Sequence, residues 1–256
     1  MFRVMTINLN GIRSAAKKGF FDWMLQQNAD VICVQEVKAQ HDQLTTEIFN
    51  PLGYYSYFNC AEQKGYSGVG LYSKKKPDNI IIGLDWDNKE GRYIEAHFGN
   101  LIVASLYLPS GTSGEHRQIV KYHFLKRYAE YLIKLREKSS QSIICGDWNI
   151  AHTKLDIKNW RGNQNHTGFL PEEREWMDAL FGRLGFVDAF RVVNQEEDQY
   201  TWWSNRGQAW AKNVGWRIDY QVITPGLKNA VKSALIYKDQ RFSDHAPLLI
   251  EYDINQ

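Results

Sequence analysis

The sequence predicts an α/β domain in which two packed, mixed β-sheets are flanked by helices. Eight short runs, several rich in β-branched residues, recur along the chain, whereas only three stretches have helical periodicity, so strands and helices do not alternate strictly. The 256 residues are 43% hydrophobic and 14% aromatic, which is enough apolar material for one large core. Because no low-complexity linker separates two halves, we expect a single domain spanning residues 1–256.

The predicted strands are short, and several of them end at residues that favour turns. Val, Ile and aromatic residues dominate these runs, and Gly, Pro, Asn or Asp often follows or closes them. The eight runs are Arg3–Asn8, Val31–Glu36, Val69–Ser73, Ile94–Phe98, Leu101–Leu108, Ser142–Asp147, Ile218–Thr224 and Leu248–Tyr252.

Three stretches have the periodicity of amphipathic helices. Gly19–Gln27 places apolar side chains at the i, i+3 and i+4 spacing of one face, and Pro171–Leu184 begins with proline and two glutamates, which suit a first helical turn. The longest stretch, Arg117–Lys138, has lysines and arginines opposite its apolar residues. Its predicted apolar face consists of Ile119, Tyr122, Leu125, Tyr128 and Leu132.

Charge and cysteine content limit the partners and the compartment. The 31 Lys and Arg residues against 29 Asp and Glu residues give a net charge of +2, which does not by itself indicate a nucleic-acid-binding protein. Cys33, Cys60 and Cys145 form no CxxC pair and are odd in number, so we expect reduced thiols and a cytoplasmic protein. No apolar run reaches the ~18 residues of a membrane span, and MFRVMTINLN has the pattern of a strand rather than of a signal peptide.

Polar side chains recur where predicted strands end. One of them alone is best explained as an ordinary turn residue, but five such places in one chain indicate a shared function. If these strand ends lie at one edge of the sheets, they form a cleft of four carboxylates, two amides and one histidine. The residues are Asn8, Glu36, Asp147, Asn149, Asp219, Asp244 and His245.

A cleft of this composition suits metal-assisted phosphoester hydrolysis. Clustered carboxylates repel one another, which raises their pKa values unless a hard cation neutralises them. An oxygen-rich ligand set without cysteine favours Mg²⁺, or Mn²⁺, over Zn²⁺. Because Mg²⁺ binds one or two carboxylates together with substrate phosphate, the residues predict phosphoester cleavage. His245 beside a carboxylate would stay cationic near that phosphate.

Longer motifs carry a resemblance to a known family. In chain order they are INLNGIR (Ile7–Arg13), VQEVK (Val34–Lys38), GYSGVGLYS (Gly65–Ser73), EGRYIEA (Glu90–Ala96), LYLPSG (Leu106–Gly111), GDWNIAHTKLDIKN (Gly146–Asn159), GFLPEER (Gly168–Arg174), YTWWS (Tyr200–Ser204), AKNVGWRIDY (Ala211–Tyr220) and SDHAPL (Ser243–Leu248). The chain thereby resembles the exonuclease III family of abasic-site endonucleases, within the endonuclease–exonuclease–phosphatase superfamily. The resemblance implies a DNase I-like, four-layer αββα sandwich and a divalent-metal-dependent DNA repair nuclease.

The resemblance also implies a role for each polar strand-end residue. Glu36 corresponds to the principal metal ligand, with Asn8 beside it, and Asp147 to the residue that orients or deprotonates the attacking water. His245, paired with an aspartate, corresponds to a donor to a phosphate oxygen. The implied catalytic residues are Asp147, Asn149, Tyr107, His245 and Asp219. The implied metal-binding residues are Glu36, Asn8, Asp244, Asp147 and Asn149, and one or two ions remain open.

Residues around these motifs are predicted to contact DNA. Trp202 and Trp216 match the aromatic wall that, in the family, holds the sugar of an extrahelical abasic site, although most tryptophans are core residues. Candidates for contacting the DNA backbone are Arg13, Lys38, Lys64, Tyr66, Arg92 and Arg117. The expected partner is double-stranded DNA, especially its 3′ ends and with abasic sites as a second target, bound by a monomer.

Two segments depart from the family pattern. His166 and Thr167 stand where abasic endonucleases commonly have Asn and a smaller residue, and Arg206 and Trp210 stand where others insert different side chains into DNA. A bulky side chain beside the pocket that would hold the sugar would exclude a flipped abasic nucleotide and still admit a frayed 3′ end. We therefore predict that processing of 3′ ends (exonuclease, 3′-phosphatase and 3′-phosphodiesterase activity) is more robust than cleavage 5′ to abasic sites.

Two other functions remain open on the sequence alone. A phosphatase of small phosphoesters would share the metal site and the Asp–His pair, but the YTWWS and GWRIDY motifs argue against it. A non-catalytic DNA-binding module would have lost some of the acids, all of which are present. With four acids assigned to the cleft, the 31 basic residues face 25 other acids, an excess of six that can form a basic rim.

Overall fold

A computed structural model describes residues 1–87, 89–139 and 141–254. The strands, numbered in chain order, are β1 (Phe2–Asn8), β2 (Val31–Gln35), β3 (Tyr55–Asn59), β4 (Val69–Ser73), β5 (Asn79–Ile82), β6 (Tyr93–Phe98), β7 (Leu101–Tyr107), β8 (Gln141–Asp147), β9 (Val187–Asp188), β10 (Trp202–Trp203), β11 (Gly215–Trp216), β12 (Asp219–Ile223), β13 (Val231–Ile236) and β14 (Leu248–Tyr252). The helices are α1 (Ile12–Lys17), α2 (Phe20–Gln26), α3 (Glu115–Lys138), α4 (Trp160–Asn163), α5 (Pro171–Phe181) and α6 (Ala189–Val193).

Two six-stranded mixed sheets form the centre of the molecule. The first has the order β13-β14-β1-β2-β4-β3 and the second β5-β6-β7-β8-β12-β9, while β10 and β11 form a separate two-stranded ribbon. Each large sheet has one parallel pair, β1 with β2 and β7 with β8, and its other pairs are antiparallel. Parallel neighbours end at the same edge of a sheet, so each sheet brings two strand ends together there.

Helices cover the outer faces of both sheets, which confirms the predicted four-layer sandwich. Between the sheets, side chains such as Cys33 of β2 and Cys145 of β8 are fully buried, and both are free thiols. Apolar residues of α1 and α2, including Phe20, pack on the first sheet, and those of α3 and α5, including Leu132 and Met177, pack on the second. Among the described residues, no helix combines the length and apolar composition needed to cross a bilayer.

The long helix α3 differs from its sequence prediction in one informative respect. It begins at Glu115, two residues earlier than predicted, and Ile119 is 49% exposed rather than on the buried face. Lys121 is fully buried in its place, beside Phe124 and Leu125. A lysine at a buried helix position needs an anionic partner, which periodicity cannot reveal.

The remaining differences concern short elements and element ends. Strand β2 stops at Gln35 and β7 at Tyr107, and helix α5 stops at Phe181 instead of Leu184. The sequence prediction missed six strands and three short helices, among them the two-residue strands of the ribbon, which are too short to show any periodicity. The single domain over residues 1–256 stays a prediction.

Candidate active site

The strand ends predicted to form a cleft meet at one edge of the two sheets. Asn8 closes β1 beside the end of β2, which Glu36 follows directly. Parallel pairing sets Tyr107 of β7 level with Asp147 of β8, and antiparallel pairing sets Asp219 of β12 opposite Asp147. Strand register therefore brings together residues that are far apart in the sequence.

Asn8 connects two carboxylates of this cleft. The buried Nδ2 of Asn8 donates to Glu36 Oε1 and to Asp147 Oδ2, both at 2.8 Å. The Asn8 Oδ1 accepts the backbone N–H of Asn10 at 2.9 Å. Because the amide nitrogen faces the two carboxylates, this geometry favours positioning of the carboxylates over direct metal ligation by Asn8.

Glu36 is turned into the cleft by an unusual backbone conformation. Its φ is 48°, in the left-handed region that few residues other than glycine adopt. Lys38 Nζ lies 2.6 Å from Glu36 Oε2. Burial alone would raise the pKa of Glu36, but the Lys38 charge and the hydrogen bonds from Lys38 and Asn8 outweigh it, so the pKa lies below its usual range. Glu36 is therefore an ionised carboxylate.

His245 forms a buried pair with Asp219. Its Nδ1 lies 2.8 Å from Asp219 Oδ2, and its Nε2 lies 3.9 Å from Asp147 Oδ2. Burial alone would lower the pKa of His245, but Asp219 and then the charges of Asp147 and Asp244 raise it to about 10. At neutral pH the ring is therefore an imidazolium whose Nε2–H can be donated to an anion.

Asp147 and Tyr107 are both shifted toward their neutral forms. Burial raises the pKa of Asp147 against the opposing charge of His245, and the Asp219 and Glu36 carboxylates add to the rise. Burial also raises the pKa of Tyr107 well above its usual value, with the same neighbouring acids Glu36 and Asp147 contributing. Tyr107 is consequently a hydrogen-bond donor, and Asp147 is a carboxyl group that a nearby cation would favour in its ionised form.

Two of these carboxylates could hold a divalent metal ion. Among the described residues, Glu36, Asp147 and His245 have candidate ligand atoms within 4.8 Å of one another. The imidazolium of His245 lacks a free lone pair, which leaves the two carboxylates as donors. One or two carboxylates with water and phosphate oxygens are the usual environment of Mg²⁺, so the donor set fits a hard divalent ion.

Asp244 lies to one side of that pair of carboxylates. Its Oδ1 accepts from Asn10 Nδ2 at 2.9 Å, and its Oδ2 accepts from Trp202 Nε1 at 3.1 Å. Burial alone would raise its pKa, but His245 and the hydrogen bonds from Asn10, Trp202 and Ser243 hold the pKa below its usual range. Asp244 thus joins the ionised centre of the cleft to its aromatic wall.

A cavity of about 1070 Å³ opens over these groups, and an aromatic wall bounds one side of it. Trp202 and Trp216 pair across the ribbon, with ring centroids 6.0 Å apart and an interplanar angle of 89°. The loop that carries His166 lies against this wall, since a Cβ added to Gly168 would be 2.9 Å from the Trp216 ring. The wall and the His166 loop therefore border the same space.

The cavity is also lined by a hydrogen-bonded group that we call the Glu90 bracket, consisting of Tyr66, Glu90, Arg92 and Arg117. Glu90 accepts from Arg92 Nε at 2.6 Å and from Arg117 Nη1 at 3.0 Å, and both arginines donate to the Tyr66 hydroxyl at 2.8 Å. Burial alone would raise the pKa of Glu90, but the arginines lower it to about 2. Sequence reasoning missed Glu90, although it heads the EGR motif that supplied Arg92.

Most predicted site residues line this one cavity: Glu36, Lys38, Tyr66, Arg92, Tyr107, Arg117, Asp147, Asn149, His166, Trp202, Trp216, Asp244 and His245. Asn8 and Asp219 are buried behind it. Arg13 lies in a neighbouring cavity of about 390 Å³ that also contains Lys38. Lys64 and Arg206 are exposed and line neither cavity, so the structure does not gather them with the rest.

Several residues of the cavity were not predicted, and Trp210, which departs from the family pattern, does not line it. The unpredicted residues lie in loops or in the four-residue helix α4, where no periodicity could single them out: Gln63, Ser110, Thr112, Asn163 and Asn165. Trp210 packs on Trp203, with ring centroids 4.3 Å apart, so it belongs to the body of the protein.

Comparisons with known proteins agree with this geometry. A model of the Endonuclease/Exonuclease/phosphatase family matches residues 5–245. The chain is 38% identical to an exodeoxyribonuclease of Bacillus subtilis (strain 168), covering 96% of this chain and 97% of that protein. It is 35% identical to a DNA-(apurinic or apyrimidinic site) endonuclease of Dictyostelium discoideum, covering 99% of this chain and 71% of that protein.

A solved structure gives the same result for the fold. The structure of an AP endonuclease from Archaeoglobus fulgidus superimposes with a TM-score of 0.89 at 28% identity and covers 99% of this chain and 100% of that chain. The names of these relatives agree on a nuclease that acts on DNA, which disfavours the small-phosphoester phosphatase and the non-catalytic module. The chain therefore belongs to the endonuclease/exonuclease/phosphatase family and is a DNA repair nuclease of its exodeoxyribonuclease and AP endonuclease branch.

Proposed function

We propose that this enzyme acts mainly at the 3′ ends of duplex DNA, removing 3′-terminal nucleotides and 3′-phosphates, and that cleavage at internal abasic sites is its weaker activity. The supporting observation is the position of His166 at the cavity, on the loop that packs against Trp216. An extrahelical sugar would have to enter between this loop and the tryptophan wall. A frayed 3′ end can approach from the open side without passing the imidazole.

The proposed roles of the side chains follow from their protonation. Asp147, with its raised pKa, accepts a proton from the attacking water as that water forms a bond to phosphorus. His245, held cationic by Asp219, donates a hydrogen bond to a phosphate oxygen, and Tyr107 stays protonated as a second donor. The bond from phosphorus to the 3′ oxygen breaks on the opposite side, and that oxygen leaves with the bonding electron pair and takes up a proton from solvent to become a hydroxyl group.

We propose Mg²⁺ as the ion, with Mn²⁺ as a substitute. Glu36 and Asp147 would hold it, with Asp244 and Asn149 at the edge of the same cleft. A divalent ion there supplies positive charge that offsets the charge developing on the phosphate.

One assay tests the substrate proposal directly. The enzyme is incubated in Mg²⁺ and in EDTA with three labelled duplexes that carry a 3′-phosphate, a recessed 3′ end or an internal abasic site. We expect Mg²⁺-dependent turnover, faster on both 3′-end substrates than on the abasic duplex. Efficient cutting of the abasic duplex without activity on the 3′-phosphate would contradict the proposal.

The role of His166 is tested by replacing it with glycine. We expect His166→Gly to raise the ratio of abasic-site cleavage to 3′-phosphatase activity by about tenfold, because the entry to the sugar pocket widens. Gln164→Gly is the matched control, since Gln164 is an exposed residue of the same loop and does not line the cavity. An equal rise in Gln164→Gly would assign the effect to loop flexibility instead.

We further propose that the enzyme binds duplex DNA as a monomer in the reducing interior of the cell. The exposed basic residues Lys64 and Arg206 lie outside the cavity and suit contacts with phosphates away from the reaction. The three cysteines are all free thiols, as a reducing compartment requires.

A further inference from the structure

A fully buried ion pair contacts the loop that follows β8 and carries Asn149, without itself lining the cavity. Lys121 of α3 and Glu173 of α5 are both 0% exposed, and Lys121 Nζ lies 2.5 Å from Glu173 Oε1. None of the proposed steps uses either residue. Burying two charges is costly, and an apolar pair of similar volume would often be at least as stable. The contacts of the pair therefore have to explain its presence.

The lysine end of the pair holds the loop after β8. Lys121 Nζ donates to the backbone carbonyl of Asn149 at 2.9 Å. Asn149 has φ 52°, a left-handed conformation that costs energy for an asparagine unless its surroundings fix it. In this conformation its side chain donates to Leu108 O at 2.8 Å and to Asp147 Oδ2 at 3.3 Å. The ammonium group thus fixes the backbone that aims Asn149 at Asp147.

The glutamate end of the pair holds the loop that carries His166. Glu173 Oε2 accepts the backbone N–H of Gly168 at 2.6 Å and that of Leu170 at 3.0 Å. Gly168 also has a left-handed φ of 90°, and its carbonyl accepts the N–H of Ala151 at 2.8 Å. The Lys121–Glu173 pair is therefore a direct bridge between the loop of Asn149 and the loop at the tryptophan wall.

We propose that Lys121 and Glu173 are positioning residues that lock these two loops in one arrangement, so that Asn149 and the substrate-entry loop keep a fixed distance from Asp147. The inference rests on the DNA-hydrolysing activity of the family and is independent of which DNA end is preferred. Loss of the lock lowers the rate of the chemical step, because attack requires aligned groups, and leaves the exposed DNA-binding surface unchanged. The expected signature is a lower kcat at a nearly unchanged KM.

The experiment compares Lys121→Met, Glu173→Gln and the double variant, using the duplex that the wild type cleaves fastest. Each single variant leaves one buried charge without its partner, so we expect a lower melting temperature. The double variant leaves no unpaired charge, so we expect its melting temperature to recover. The Asn149 carbonyl of the double variant still lacks the ammonium donor. We therefore expect its kcat to stay at least tenfold below that of the wild type, with KM within about threefold. A tenfold change in rate corresponds to about 1.4 kcal/mol.

Glu95→Gln is the matched control for burying a changed carboxylate. Glu95 is 2% exposed and is held by His97, Tyr93 and Tyr131, away from the cavity. We expect Glu95→Gln to lower the melting temperature while kcat stays within twofold of the wild type. Recovery of kcat together with the melting temperature in the double variant would overturn the proposal, as would a loss of kcat in Glu95→Gln as large as in Glu173→Gln.

Discussion

Two groups of ionised side chains meet at the start of β12, and they differ in how their charges balance. The catalytic cluster consists of Glu36, Lys38, Asp147, Asp219, Asp244 and His245. The structural cluster consists of Asp156, Asp188, Arg191 and Arg217. In the catalytic cluster four acids face two cationic groups, whereas in the structural cluster two acids face two guanidinium groups.

In the structural cluster the charges are balanced among its own members. Arg217 is fully buried, and it donates through Nε to Asp156 Oδ1 at 2.8 Å and through Nη2 to Asp188 Oδ2 at 2.7 Å. Arg191 Nη2 donates to the same Asp156 oxygen at 2.7 Å. Burial alone would raise the pKa of Asp156, but the two guanidinium groups hold it well below its usual range. Each carboxylate has a cationic partner, so the acids of this cluster need no further cation.

The catalytic cluster keeps an excess of negative charge in the same kind of buried setting. The pKa of Asp147 is raised by burial, whereas that of Asp156 is lowered, although both are buried aspartates. The difference teaches that a deficit of cations, rather than burial of acids as such, marks a site for a cation and a phosphate. Isosteric substitutions in the two clusters should therefore have opposite effects on activity and on stability.

The largest expected effect is the loss of activity in Asp147→Asn. The amide cannot accept a proton from water, so we expect kcat to fall by about 10²–10⁴-fold. Removing one charge from a cluster with too many acids should leave the melting temperature unchanged or slightly higher. Steady-state kinetics and thermal unfolding measure the two quantities, and Glu36→Ala should likewise abolish cleavage in a folded protein. Near-normal Mg²⁺-dependent turnover by either variant would end this assignment.

Asp156→Asn should have the reverse profile. It leaves buried Arg217 short of one carboxylate, and breaking a buried ion pair typically costs about 3–5 kcal/mol of unfolding free energy. At temperatures well below its melting point, we expect kcat within a fewfold of the wild type. Urea unfolding followed by kinetics on the same preparation checks both values. A catalytic loss comparable to that of Asp147→Asn, without a loss of stability, would erase the distinction between the clusters.

A smaller effect is the acid sensitivity that Asp156 confers. Its folded-state pKa lies below the unfolded value of about 3.9, so its stabilisation is complete above that value and is lost as the pH falls through the folded pKa. Between pH 6 and pH 3 the protonation of Asp156 therefore lowers the free energy of unfolding of the wild type by about 1 kcal/mol. Urea unfolding at the two pH values measures how far the free energy of unfolding falls from pH 6 to pH 3. We expect this fall to be about 1 kcal/mol smaller in Asp156→Asn than in the wild type. Equal drops in both proteins would remove Asp156 as the cause.

The sequence was sufficient for most strands of the two sheets and for singling out the acids and the histidine of the catalytic cluster, but not for β3, β5, β9 and β13 or for the pairing of Lys38 with Glu36. Runs such as Val69–Ser73 and Leu248–Tyr252 coincide with strands because buried strands need continuous apolar segments. The polar residues Asn8, Glu36 and Asp147 could be found because each interrupts or ends such a run. Parallel pairing of β1 with β2 explains why Asn8 and Glu36 lie together, whereas the packing of the second sheet on the first brings Asp147 within hydrogen-bond distance of Asn8.

The structural cluster and the Lys121–Glu173 pair could not be found in this way. Asp156 ends a three-residue 3-10 helix, Lys154–Asp156, and nothing in the sequence assigns Arg191 and Arg217 to the same carboxylate. Lys121 has the spacing of an exposed basic residue on α3, and only the position of Glu173 on α5 makes its burial possible. Ion-pair partners that are brought together only by tertiary packing cannot be recognised from the pattern of neighbouring residues in a single sequence.

The smallest expected effect lies outside both clusters, at the exposed basic rim. Lys64 is exposed and has no place in either buried network, so Lys64→Ala should leave kcat and the melting temperature unchanged. If its ammonium group contacts a phosphate, KM should rise by roughly threefold at low salt, and the slope of log KM against log salt should fall by about 0.9. Lys232→Ala is the control, because that lysine is also largely exposed but pairs with Asp253 away from the cavity. An unchanged slope in Lys64→Ala would exclude Lys64 from the DNA-binding surface.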